Sequence, residues 1–221
     1  TRLAQAIHLD VVDLSLYAYG KQQMASISQR YDRQLDNNRL RRLHQEDFCQ
    51  VLGISASMKY QNEGGPSLVD CIEVIRQSSD DVVTDTQKLV KWMIFNVLVG
   101  NCDFHGKNLS FLYRDPKSRL APFYDLVATI NDKSVSLKMA MSIGGEEVIH
   151  NVNKTHWTAQ AKAMGISPKM LLDSVAEMSE QIIRDIESVF SDFDNINEGF
   201  HRRISLLIKK QCKRIQQLLK A

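Results

Sequence analysis

Asp103 and Asn108 stand five positions apart in Gly100-Asn101-Cys102-Asp103-Phe104-His105-Gly106-Lys107-Asn108, and Asp125 follows seventeen residues later in Phe123-Tyr124-Asp125-Leu126. These residue types at this spacing suit transfer of a phosphoryl group. That reaction needs little covalent help from protein: an acceptor hydroxyl must be oriented, and a divalent metal must neutralise phosphate oxygens. Asp103 can accept the hydroxyl proton. Asn108 can offer an amide oxygen to Mg²⁺ and Asp125 a carboxylate, in keeping with magnesium's use of a few protein oxygens beside phosphate and water. Lys107 lies between base and metal ligand, where a cation could steady the phosphate.

Each residue also has a plainer reading. Asp103 and Asn108 could make turns or cap the preceding helix, and Asp125 could be an N-cap to the apolar residues after it. His105 could be a local hydrogen-bonder, and Cys102, with no base spaced to activate it, a small buried residue. Asp103-Phe104-His105 has the Asp-x-His form of binuclear metallophosphatases, but the further Asp and His clusters of such sites are missing. An Asp-x4-Asn pair alone arises by chance in many proteins. What adds weight is the third group, with a long apolar helix before the loop and strands after it.

The elements that must position these groups can be read from periodicity. The spacing predicts the end of a helix over residues 1–8. A two-stranded hairpin follows, from Leu14–Tyr19 and Met24–Tyr31 with a turn at Gly20-Lys21. Helical spacing covers 45–53 and 67–78, separated by a polar loop with Gly64-Gly65-Pro66. The strongest helix runs from Thr86 to Val99, with Thr84 and Asp85 able to cap it. Short strands are expected over 108–113 and 119–123, joined by a turn at Arg114-Asp115-Pro116-Lys117. Another strand or hairpin is expected from Val135 to Ile143, ending at Gly144-Gly145. From about Thr155 the chain reads as helical, with long amphipathic helices over 169–190 and 197–220. The fold class is therefore mainly α with small β hairpins (α+β).

Bulk properties narrow the class further. A chain of 221 residues with 43% hydrophobic and 24% charged residues can bury a sizeable core. The net charge of +2 is too small to argue for nucleic acid or membrane. Four scattered cysteines without CxxC spacing fit reduced thiols in a cytoplasmic protein, not a zinc site or disulfide scaffold. No apolar run approaches a membrane span. The first residue is Thr1, and Arg2 to Ile7 already read as the middle of a helix, so the chain is expected to begin inside a larger protein.

Protein kinases space a catalytic base and two metal ligands in the same way as Asp103, Asn108 and Asp125. Further segments extend the likeness: Ile27-Ser28-Gln29-Arg30-Tyr31-Asp32-Arg33, His44 to Gln50, Lys59-Tyr60 through Gly64-Gly65-Pro66, Leu98 to Asn108, and Leu120-Ala121-Pro122-Phe123-Tyr124-Asp125. Taken in order, they resemble the C-terminal part of HipA-type serine/threonine kinases, the toxins of bacterial toxin–antitoxin modules. The resemblance runs nearly end to end.

It implies a protein-kinase-like C-terminal lobe, with residues 1–33 as the remnant of an N-lobe and hinge. Residues 34–221 would be the helical lobe, with a catalytic loop at 100–108 and a metal-binding segment at 122–126. Asp103 is implied as catalytic base and Lys107 as its neighbour at the phosphate. Asn108 and Asp125 are implied as metal ligands. The nucleotide would be held by Gln29, Arg30 and Tyr31 of the hinge, with Gln45, His105 and Tyr124. The implied cofactors are ATP and Mg²⁺. The implied partners are a protein substrate, for which an aminoacyl-tRNA synthetase is the family precedent, and an antitoxin-like DNA-binding protein.

Two departures stand out. Gln29 occupies a position where the family usually has Glu. Only 26 residues precede Ile27, and they contain no glycine-rich phosphate loop and no strand lysine. The alternative function is therefore a catalytically incomplete lobe that binds an antitoxin or other partner. The helix from Gly199 carries seven basic residues and no acid, which would allow contact with DNA. Without a helix-turn-helix signature or interleaved aromatics, a solvated helix face is the favoured reading of it.

Overall fold

The computed structural model describes residues 1–19, 23–114, 117–191 and 194–220, without the side chains of 192–198. The expected turns at Gly20-Lys21 and Asp115-Pro116 lie outside the described residues. Helix α4 (Val82–Val99) is the spine: Leu89, Trp92, Met93, Ile94, Val97 and Leu98 are fully buried on all its sides. A helix apolar all round must be enclosed. Here α3 (Leu68–Ser78), α6 (Pro168–Ser191) and α7 (Asp194–Lys220) pack around it, and α5 (Lys154–Ala163) packs on α6.

Helix α4 starts earlier than its apolar stripe suggests. Asp81 is the N-cap, accepting from the Thr84 amide at 3.1 Å. Asp85, expected near the cap, is instead fully buried. It accepts from the Ser79 hydroxyl, the Arg119 guanidinium and the Leu120 amide, clamping the helix to the strand beside it. A buried carboxylate is tolerated when its lone pairs are filled in this way.

Strands cluster toward the N-terminal half. β1 (Leu14–Tyr19) pairs antiparallel with β2 (Gln23–Ser28), as expected. Two further strands were not anticipated: β3 (Arg33–Asp36) and β4 (Arg39–Arg42) form a second hairpin. Its turn residues Asn37 and Asn38 both take positive φ (46° and 63°), which Asn tolerates and two-residue hairpin turns demand. The helix expected over 45–53 shrinks to α2 (Phe48–Val51), capped by Asp47 and Gln50 reciprocally. The residues before it, β5 (His44–Asp47), join β6 (Ser110–Arg114) and β7 (Lys117–Leu120) in a three-stranded antiparallel sheet. Short-range periodicity cannot reveal a strand whose only partner lies about 65 residues away. β8 (Lys138–Ile143) and β9 (Glu146–Val148) turn through Gly144 and Gly145, both at positive φ.

The mixed architecture, with helices and small antiparallel sheets, agrees with the expected α+β class. A short helix α1 (Arg2–Ala6) leads into residues 10–12, which make a parallel bridge to Phe123. The Phe123 amide donates to Asp10 and its carbonyl accepts from Val12. Thus the first dozen residues hold the segment that carries Asp125. No described helix is long and apolar enough to cross a membrane.

Candidate active site

The loop after α4 is built from backbone outward. Gly100 ends the helix in the left-handed region (φ 73°), where a Cβ would sit 2.4 Å from Ile130. Asn96, the polar residue inside the apolar helix, donates to the Trp92 carbonyl at 2.8 Å and accepts from the Asn101 side chain at 2.8 Å. Asn101 in turn accepts from the Asp103 amide at 3.0 Å. This buried amide relay runs from helix to loop and orients Asp103. On the other side the Cys102 amide donates to Thr129 Oγ1 (2.7 Å), and the Cys102 carbonyl accepts from the Ala140 amide (2.8 Å). Trp92 lies edge-on to Phe104 of the loop and tilted against Phe123, so one core ring supports both halves of the site.

Asp103 is about half exposed, with its Oδ1 accepting from the Tyr60 hydroxyl at 2.9 Å. Asn108 and Asp125 meet directly: the Asn108 amide nitrogen donates to Asp125 Oδ2 at 2.7 Å. The Asn108 amide oxygen accepts from the His105 backbone amide at 3.0 Å and keeps a second lone pair. Asp125 is exposed and held at φ 58°. For a non-glycine residue that backbone costs roughly 1–2 kcal/mol, a cost carried by the fixed strand-like bonds at Phe123. The next helical turn, Thr129–Asn131, has Ala128 as its N-cap, so Asp125 is not a helix N-cap.

Lys107 is not turned toward Asp103. Its ammonium pairs with Asp47 Oδ2 at 2.7 Å, which ties the loop to the start of α2. His105 is buried, edge-on to the Tyr60 ring, and its Nδ1 has no partner among the described residues. Burial, and then the Lys59 charge, push its pKa below the ordinary imidazole value despite the nearby Asp103. Near neutral pH His105 is therefore an uncharged imidazole.

Tyr31, Gln45 and Tyr124 form a second group. The Tyr31 hydroxyl donates to Gln45 Oε1, and the Tyr31 and Tyr124 rings stack at 6.1 Å and 18°. The Tyr124 hydroxyl donates to the Lys107 carbonyl at 2.7 Å, connecting this group to the loop. Burial raises the pKa of both tyrosines. Gln29 and Arg30 stand apart from it. The Gln29 amide is spent on the Asp13 carbonyl at 3.0 Å, and Arg30 forks onto buried Asp32 at 2.8 and 2.6 Å. That Arg30 contact, joined by Arg33, holds the Asp32 carboxyl down at about 2.

Four contributors are given no role in the sequence reading: Tyr60, Lys59, Asn96 and Asn101. Lys59, Tyr60 and Asn101 stand inside the motifs that carry the resemblance, and Asn96 is a polar residue interrupting an apolar run. An apolar cavity of about 250 Å³, lined by Leu14, Leu16, Phe95, Val99, Ile204 and Ile208 among others, holds none of the reactive groups.

A family model described as the HipA-like C-terminal domain matches residues 1–189. The chain belongs to that family. The HipA-like relatives include "Putative kinase Y4mE" of Sinorhizobium fredii, 39% identical over 204 residues, covering 89% of this chain and 48% of the relative. The serine/threonine-protein kinase toxin HipA of Shewanella oneidensis is 26% identical over 232 aligned residues, covering 96% and 52%. The chain thus spans about half the length of these HipA-like relatives. Among solved structures, HipA in the HipA–HipB–operator DNA complex of Shewanella oneidensis MR-1 superposes with TM-score 0.92 at 24% identity, over 99% of this chain and 55% of that one. The Helicobacter pylori proinflammatory kinase CtkA gives 0.63 at 12% identity, over 98% and 78%. The HipA-like fold is shared, including a kinase-like lobe.

Proposed function

We propose that this HipA-like chain is the catalytic lobe of a protein serine/threonine kinase that uses ATP and Mg²⁺. The observation that carries the reading is the pairing of Asn108 with Asp125, at 2.7 Å, on the loop that also presents Asp103. Asp125 comes back to Asn108 from seventeen residues away, across a strand hairpin, to meet the loop that carries Asp103.

The donor set fits magnesium: one carboxylate and one amide oxygen, with no group of three or more His, Cys, Asp or Glu positioned for a metal among the described residues. Mg²⁺ bound there would neutralise phosphate oxygens during transfer. Asp103 takes the proton of the acceptor hydroxyl as that oxygen bonds to the γ-phosphorus. The bond to the β–γ bridging oxygen breaks, and ADP leaves with the electron pair. Tyr31 and Tyr124 offer flat faces to the nucleotide base, with Gln45 beside them. Neutral His105 contributes no charge to the phosphates. The glycine-rich loop and strand lysine of such kinases have no counterpart in residues 1–26, so full activity is assigned to the full-length gene product.

The acceptor is a protein hydroxyl, with an aminoacyl-tRNA synthetase as the family precedent, and an antitoxin-like DNA-binding protein is the proposed regulator. The test is transfer of labelled γ-phosphate from ATP, with and without Mg²⁺, by the full-length product and its Asp103→Asn form. Loss of the general base should slow transfer by about 10²–10⁴-fold. No Mg²⁺-dependent transfer by the unmodified protein would overturn the reading.

A further inference from the structure

Three groups converge on a single oxygen of Asp103. The Tyr60 hydroxyl donates to Oδ1 at 2.9 Å, the Lys59 ammonium lies 3.9 Å from the same oxygen, and His105 Nε2 lies 3.8 Å from it. Among the described residues no hydrogen bond or ion pair reaches Oδ2, and the side chain is 44% exposed. One carboxylate oxygen is anchored, and the other has no partner among the described residues on a side chain that is partly exposed.

The segment carrying Tyr60 is closed tightly on itself at Gly65 and lies against the loop at Gly106, two close approaches that exclude side chains. A Cβ on Gly65 would lie 2.4 Å from the Met58 carbonyl oxygen, and one on Gly106 would lie 2.7 Å from Pro66 Cγ. Glycine at 65 lets the 58–66 turn close, and glycine at 106 lets Pro66 of that turn lie on the loop. The turn closes on itself through the Gly65 amide and the Tyr60 carbonyl, at 2.8 Å. Gln61 fastens its far side by accepting from the Ser142 amide, also at 2.8 Å. Lys59 sits over the Tyr60 ring at 4.8 Å, a cation–π contact that keeps the ammonium near Oδ1 without occupying Oδ2.

We propose that Tyr60 is a positioning residue for phosphoryl transfer, fixing Asp103 through Oδ1 so that Oδ2 receives the acceptor proton. This rests on the kinase reading above. A carboxylate free to rotate presents a reacting lone pair only part of the time, and a displacement near 1 Å costs about 10²-fold in a transfer step. Lys59 is the cation beside the base, whereas Lys107, which sequence order placed where it could steady the phosphate, pairs with Asp47.

The Tyr60→Phe form of the full-length protein isolates the hydroxyl, because the ring against His105 and under Lys59 is kept. Labelled γ-phosphate incorporation into the protein itself would be followed over a range of ATP concentrations. The expected result is a maximal rate lower by about 10- to 100-fold, with the half-saturating ATP concentration within about twofold of the parent. In an Asp103→Asn background the same substitution should change nothing further, since its whole effect passes through that carboxylate. A maximal rate within about twofold of the parent would overturn the proposal while leaving the kinase reading intact. A parallel loss of ATP saturation, or a full additional loss on top of Asp103→Asn, would also overturn it, marking a merely structural role. No transfer by the parent would overturn both.

Discussion

The loop carrying Asp103 and the stretch carrying Gln29 and Arg30 are both assigned to one site by the motif order, yet they are held in opposite ways. The loop is fastened at successive residues: Gly100, Asn101, Cys102, Asp103 and His105 each bond to α4, to Thr129, to β8 or to one another. Beneath it the core side chains have essentially no exposure. The hinge stretch lies between two hairpins that expose Leu16, Tyr17, Ile27, Leu35 and Leu40, and its polar groups are spent locally on Asp13 and Asp32. The chemistry proposed for the loop tolerates only sub-ångström errors, and the loop is the part whose geometry is over-determined. A contact made by backbone atoms at a hinge needs no such bracing.

If this contrast is right, damage should scale with it. Trp92→Ala removes the ring that supports both Phe104 and Phe123, and should cost about 3–5 kcal/mol in urea unfolding of this chain. A smaller loss would mean that the loop carries itself. Asn101→Ala breaks the middle of the amide relay and leaves the Asp103 amide without its acceptor. About 1–3 kcal/mol of stability should go. Phosphoryl transfer by the full-length protein should fall more steeply than that loss of stability alone would cause.

The acid range offers a subtler probe. His105 and His150 both titrate lower in the folded chain than the ordinary value of 6.5, chiefly through burial. In the window just below 6.5 the unfolded chain binds more protons at these positions, so stability rises with pH there and falls as pH drops through it. Unfolding midpoints measured between pH 7.5 and 5 should decline. Replacing His105 by Gln should flatten part of that decline, and an unchanged slope would argue against its burial as a neutral ring. The smallest effect is expected at the hinge hairpins: Leu35→Ser and Leu40→Ser should move stability by no more than about 0.5 kcal/mol. A larger change would show that β3 and β4 pack more tightly than the loop comparison implies.

Local signals carried a good part of this. Gly100 as a helix stop, the apolar stripe of α4, the Ser167-Pro168 start of α6 and the Gly144-Gly145 turn are all written in short windows. Backbone preference and periodicity act over the same few residues. The β3–β4 hairpin was also legible in principle, through Asp36-Asn37-Asn38, but its strands carry charges where alternation is usually sought. β5 was not legible, because what makes it a strand is β6.

The sequence by itself determined which groups could act: Asp103, Asn108 and Asp125, in an order and spacing that suit phosphoryl transfer. Only the tertiary structure decided how they are served. Lys107, adjacent in sequence to a metal-ligand candidate, spends its charge on Asp47, while Lys59 and Tyr60, more than forty residues upstream, reach Asp103. Spacing along a chain fixes which side chains can be neighbours within a turn or two. Contact across the fold depends on packing, here on Gly65, which lets the 58–66 turn close on itself, and on Gly106, which admits Pro66 against the loop.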